Sequence, residues 1–133
     1  AVVARHLLRK RIQNITDKRI EHAHYLDSRL RGIETISVPT REPDIRQVFH
    51  IYMVLAENRD ELQAHLIKNG VDAKVHYPVP MHLQPAASAY GHRKGDFPRA
   101  EYIADHAISL PVHEFITQEQ LDTMVRLIEE FYA

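Results

Sequence analysis

The sequence predicts an α+β or α/β sandwich fold, a small sheet with helices packed on it, and three observations carry that prediction. An amphipathic stretch at the start runs to Gly32. The segment Arg46 to Leu55 is dense in β-branched and aromatic residues. Beyond it, capped helical segments alternate with short strand-like runs. A length of 133 residues fits one domain (1–133) that can bury a core: a long helix over 1–32 and a sheet-and-helix body over 33–133.

The elements follow in order. Over residues 3–31, Leu8, Ile12, Ile15, Arg19, Ala23, Leu26 and Leu30 recur at three- and four-residue steps, one helical stripe with a break expected near Asn14-Ile15-Thr16. Gly32 is placed to stop it. Residues 33–45, with Pro39 and Pro43, read as extended connection. In the strand over 46–55, Val48, His50, Tyr52 and Val54 share one face and Phe49, Ile51, Met53 and Leu55 the other. Apolarity on both faces implies a covered strand with His50 buried. Asn58 reads as an N-cap with Glu61 completing a capping box, and that helix ends at Gly70. A second strand is expected over Val71 to Tyr77. Pro98 starts a helix reaching about Ala107, Ser109 to Val112 is a short strand or extended piece, and Thr117 with Gln120 caps a last helix whose stripe is Leu121, Val125 and Ile128.

Composition narrows the function. There is no cysteine, so no disulfide or thiolate chemistry; with no basic-then-apolar leader, a cytoplasmic setting is expected. No apolar run approaches the ~20 residues of a membrane span. The net charge of −1 does not suit a nucleic-acid binder, although residues 1–31 hold eight Lys/Arg against three acids. Acids interrupt that run and no aromatics interleave it, which is the pattern of a solvated helix face. Neither a P-loop, a dinucleotide fingerprint nor a serine nucleophile motif is present.

The chemistry concentrates in His76-Tyr77-Pro78-Val79-Pro80-Met81-His82-Leu83-Gln84. Two prolines restrict themselves and the residues before them, so this polar loop is pre-ordered for presenting groups to a ligand. Ten histidines raise the question of a metal, but no HExxH or clustered acid-histidine set supplies the ligands zinc needs. No metal site is expected. Tyr77 and His82 are the foremost ligand-contact candidates.

Several motifs in register carry a resemblance. They are Arg19-Ile20-x-x-Ala23-x-Tyr25-x-x-x-Arg29-Leu30, Val48-Phe49-His50-x-Tyr52, Arg59-Asp60-Glu61-Leu62, His76-Tyr77-Pro78-x-Pro80-x-His82-x-Gln84, Gly95-Asp96-Phe97-Pro98-x-Ala100-Glu101 and Leu110-Pro111-Val112-His113. From Arg19 to Tyr132 the chain resembles the C-terminal domain of the DegT/DnrJ/EryC1/StrS family, sugar-nucleotide aminotransferases that use pyridoxal phosphate. The resemblance implies a mostly antiparallel sheet, as in the small domain of fold-type-I aminotransferases. It also implies a separate large domain holding the Schiff-base lysine, the acid facing the pyridinium nitrogen and the phosphate site.

None of Lys10, Lys18, Lys68, Lys74 and Lys94 lies in a matching motif. The chain alone is therefore expected to be inactive, with no catalytic residue and no cofactor-binding residue of its own; pyridoxal phosphate belongs to the complete enzyme. The implied partners are the large domain, in the same or a separate chain, a second copy in a homodimer, a nucleotide sugar and an amino-acid amino donor. Neither nucleic acid nor membrane is among them. The implied substrate-side residues are His76, Tyr77, His82 and Gln84, supported by His50. The alternative is a non-catalytic, stand-alone module that binds a sugar nucleotide or regulates.

Overall fold

A computed structural model describes residues 1–133, and its elements run α1 (Val2–Lys10), α2 (Ile12–Leu30), β1 (Ile36–Ser37), β2 (Tyr52–Ala56), α3 (Arg59–Lys68), α4 (Pro98–His106), β3 (Ala107–Leu110) and α5 (Gln118–Tyr132). Two 3₁₀ turns, Met81–Leu83 and Pro85–Tyr90, lie between α3 and α4. The three strands form an antiparallel sheet in the order β1-β2-β3. This is the α+β class expected. No helix is long and apolar enough to cross a membrane.

Register explains the core. Tyr52 pairs with Leu110 and Val54 with Ile108, and directly opposed residues of antiparallel strands point to one side. That side meets Ala23, Leu26 and Leu30 of α2, Leu62 and Leu66 of α3, and Leu121, Val125 and Ile128 of α5 in a continuous buried cluster. Each such leucine or isoleucine contributes about 1.5–3 kcal/mol by leaving water. On the opposite side of the sheet, Met53 pairs with Ser109 and Leu55 with Ala107, and α4 packs there against β2.

Two helix ends behave as their residues dictate. Thr117 Oγ1 accepts from the Gln120 N–H at 3.2 Å and the Thr117 N–H donates to Gln120 Oε1 at 3.0 Å, the reciprocal cap expected. At the end of α3, Gly70 at φ 84° lets its own N–H reach the Ile67 carbonyl at 3.0 Å and the Val71 N–H reach Leu66 at 2.9 Å. Buried Val71 then closes over buried Leu66, the hydrophobic partner of that paired turn.

Other expectations are corrected. The N-terminal helix breaks at Arg11 rather than near Asn14, where Arg11 comes 3.9 Å from Glu114 and lies over the Phe115 ring. All of α1 is exposed, and the stripe is fully buried only from Ala23 onward. Residues 46–51 leave the sheet because Phe49 turns the chain at φ 49° and sinks its ring beside Tyr52. His50, expected to be buried on a strand, is therefore exposed and not on one. The second strand over 71–77 reduces to a single bridge, Lys74 with Ser109. Asn58 takes the left-handed conformation and its side chain makes no cap bond. A short strand not expected, β1, arises within the 33–45 connection.

One polar cluster crosses the core. Arg41 donates to both oxygens of buried Asp27, at 2.9 and 3.0 Å, and the Tyr52 hydroxyl donates to the same carboxylate at 2.8 Å. Burial alone would raise the Asp27 pKa. The donated bonds of Arg41 and Tyr52 and the Arg41 charge outweigh it and hold the carboxyl below its ordinary value. Burial and the Asp27 carboxylate push the Tyr52 phenol up. Asp27→Ala should cost about 3 kcal/mol at neutral pH, because it strands a part-buried guanidinium. Since the folded pKa is depressed, the advantage of the wild type over Asp27→Asn should be full above the ordinary value of 3.8 and fade as pH falls through the lower folded value. Urea unfolding of both proteins across pH 2 to 7, in roughly unit steps, measures it.

Candidate functional site

The principal concavity is an open cleft of about 870 Å³, walled by the turn at His50, the 69–76 segment, the end of β3 and the start of α5. Helix α2 sets two of these walls. Arg19 Nη1 donates to the carbonyls of Phe49 and His50, both at 3.1 Å. One turn further on, His22 Nδ1 lies 3.2 Å from the His113 carbonyl. A carbonyl only accepts, so His22 donates here, and burial favours its neutral form by pushing its pKa down. On the third wall His76 Nδ1 sits 3.1 Å from Ser109 Oγ. Three histidines, His50, His76 and His113, thus line one space with Arg19 and Lys74. No three side chains converge as metal ligands.

Of the residues singled out from sequence, His50 and His76 line this cleft, while Tyr77, His82 and Gln84 do not. Tyr77 is 73% exposed, its ring edge-on to that of His76. Gln84 Nε2 donates to the Val79 carbonyl at 3.2 Å, which ties the proline loop to itself. The His82 ring is mostly enclosed: Nε2 is 2.9 Å from Glu101 Oε1 and the imidazole packs on Phe97. Glu101 also accepts from the Gly95 N–H at 2.8 and 3.0 Å and from Phe97 at 3.4 Å. Those bonds, the Gly95 N–H first, hold its carboxyl below the usual range. His82 is thereby joined to the first turn of α4.

Sequence reasoning passed over Arg19, Ser109 and His113 as site residues. A signal for Arg19 was present: it is the one charged residue on the apolar stripe of α2, where a buried cation needs a reason. Ser109 and His113 had none, because only the register of β3 and the turn after it bring them to the cleft.

The chain matches the family described as the DegT/DnrJ/EryC1/StrS aminotransferases over residues 1–129. It is 40% identical over 119 residues to a pleiotropic regulatory protein of Geobacillus stearothermophilus, covering 88% of this chain and 32% of that protein. It is 38% identical over 109 residues to the dTDP-3-amino-3,4,6-trideoxy-alpha-D-glucose transaminase of Streptomyces venezuelae, covering 82% of this chain and 28% of that enzyme. Among solved structures it superposes on S. venezuelae DesV in complex with a ketimine intermediate with a TM-score of 0.87 at 33% identity, over 98% of this chain and 34% of that one. The chain thus spans about a third of the length of these relatives.

The geometry around Glu101 makes a local prediction. Glu101→Gln should leave the core intact but speed amide exchange at Gly95 and Phe97 by about tenfold, since a neutral amide accepts more weakly than a carboxylate. Hydrogen exchange of the variant and the wild type, compared residue by residue, reads it. Unchanged protection at both amides would mean that the carboxylate does not hold the loop.

Proposed function

The chain belongs to the DegT/DnrJ/EryC1/StrS aminotransferase family, and from that premise we propose that it is the small-domain part of an enzyme that transfers an amino group to a nucleotide-linked keto-sugar. In this reading it supplies substrate-side walls and contacts within a homodimer, while a large domain, in the same or another chain, supplies the reactive centre. The observation that carries the reading is its coverage: close likeness over nearly all of this chain, and over only about a third of relatives that include a named sugar-nucleotide transaminase. The setting that suits such an enzyme is the cytoplasm, where nucleotide sugars serve as substrates.

Pyridoxal phosphate, the cofactor implied for the complete enzyme, does not fit the residues present here. A Schiff-base lysine is activated by desolvation or a neighbouring cation. The only lysine on the cleft, Lys74, is 58% exposed and pairs with Asp72 at 2.6 Å. The cleft carboxylates are Asp72, engaged by Lys74, and Glu119, which is exposed; neither is buried beside a slot for a ring. What this chain's residues can do is bind and orient: His50 and His76 border the substrate space, and His82, Gln84 and Tyr77 shape the loop that flanks it. Orientation of this kind is a substantial part of a catalysed rate, since misplacement by ~1 Å costs heavily.

A second reading is favoured by one observation, the regulatory name of the Geobacillus relative. There the chain is a stand-alone module that binds a sugar nucleotide without reaction.

Domain replacement separates the two. The matching third of the S. venezuelae transaminase is exchanged for this chain, and amino transfer is assayed with pyridoxal phosphate added. The small-domain reading expects activity above that of the truncated enzyme, and none from the 133-residue chain by itself. Turnover by the isolated chain would overturn it, and an inactive, folded replacement would favour the regulatory module.

A further inference from the structure

Arg19 is the part-buried cation of the cleft. It sits one turn before the fully buried part of the α2 stripe that begins at Ala23, and it borders the cleft. Its Nη1 is spent on the carbonyls of Phe49 and His50. Its Nε and Nη2 donate to nothing in the protein, and it forms no ion pair, whereas the other cleft cation, Lys74, is engaged by Asp72. A guanidinium anchored through one nitrogen has already lost its rotamer freedom and still presents two donors in a fixed fork.

We propose that Arg19 is the anion-binding centre of the cleft, receiving the phosphate or carboxylate group of a small ligand on the side opposite its carbonyl anchors. The assignment deepens the small-domain reading and rests on it for the cleft being a substrate surface. The formal charges along the walls cancel, with Arg19 and Lys74 against Asp72 and Glu119. Attraction therefore arises from the orientation of one fork rather than from a general field. His50, held by the same arginine, and His113, held by His22, also line the space; His113 Nδ1 accepts from the Phe115 N–H at 3.3 Å, which leaves its Nε2 as the nitrogen open to the remaining oxygens of the ligand. Glu119, exposed on the same cleft, carries the ligand's own sign of charge and so limits its affinity.

The test titrates UDP, inorganic phosphate and L-glutamate separately into the 133-residue chain at constant ionic strength, following amide and imidazole NMR signals. Saturable shifts centred on Arg19, His50 and His113 are expected with at least one of them. Preference for UDP identifies a phosphate source, and preference for glutamate a carboxylate source. Arg19→Gln should weaken the binding roughly tenfold or more. Arg19→Lys keeps a donor for the two carbonyls but lacks the fork, so it should hold the fold and its melting temperature while losing affinity to a similar degree. Glu119→Gln should tighten binding.

The assignment is overturned if none of the three anions binds saturably, or if Arg19→Lys binds as the wild type does. Absence of binding alongside an active domain replacement removes the anion site and leaves the small-domain reading intact. Binding alongside an inactive replacement does the reverse.

Discussion

Much of the molecule depends on a carboxylate that has been taken out of water. Asp27 lies on α2, and its two oxygens collect Arg41 from the connection after β1 and Tyr52 from the start of β2. A buried ion pair of this kind contributes little net stability against an apolar replacement, because desolvation offsets the attraction. What it does is tie the 38–51 connection to α2, through Arg41 within it and Tyr52 at its end. Arg41 then lies over the rings of Phe49 and Tyr52 at 5.0 and 5.6 Å. Phe49 is held inward, the chain turns at φ 49°, and His50 is left facing the cleft. The position of one cleft histidine thus traces back to a carboxylate on α2.

Helix α2 is accordingly more than a core helix. Its C-terminal half buries Ala23, Leu26 and Leu30 against the sheet and α5, which is the ordinary work of an amphipathic helix. Its middle turns carry Arg19 and His22, each bonded to the backbone of a different cleft wall. Backbone carbonyls are obligatory acceptors, so tying them costs no side-chain function on the walls themselves. His50 and His113 both line the cleft.

What was legible in the sequence is what local chemistry decides. Thr117 and Gln120 cap α5 because both partners of the cap lie within one turn, and Pro98 opens α4 because its missing N–H has no use there. What was not legible is what distant partners decide. The alternation through 46–55 is real as a pattern, yet residues 46–51 have no neighbouring strand to pair with, and Phe49 gains more by burying its ring against Tyr52 and Arg41. Val71 to Tyr77 likewise has the composition of a strand but pairs only at Lys74. Asn58 has the right side chain for a cap, and the tight passage from β2 to α3 puts it in the left-handed region instead. Of the proline loop, only His76 reaches the cleft, bonded to Ser109, while His82 spends its ring on Glu101.

The division of labour follows from what each side chain still has free. His82 and Glu101 are satisfied by each other and by the Gly95 and Phe97 amides, so they set the loop and have little left for a ligand. Lys74 is engaged by Asp72 in open solvent and offers no activated amine. Of the two cleft cations, Arg19 alone combines a fixed orientation with unused donors, and His50 and His113 line the same cleft. Such a surface favours a ligand through geometry arranged before binding, which is where an enzyme gains most from parts that do not react. In the small-domain reading proposed above, a site built this way would give specificity and position to chemistry carried by the large domain.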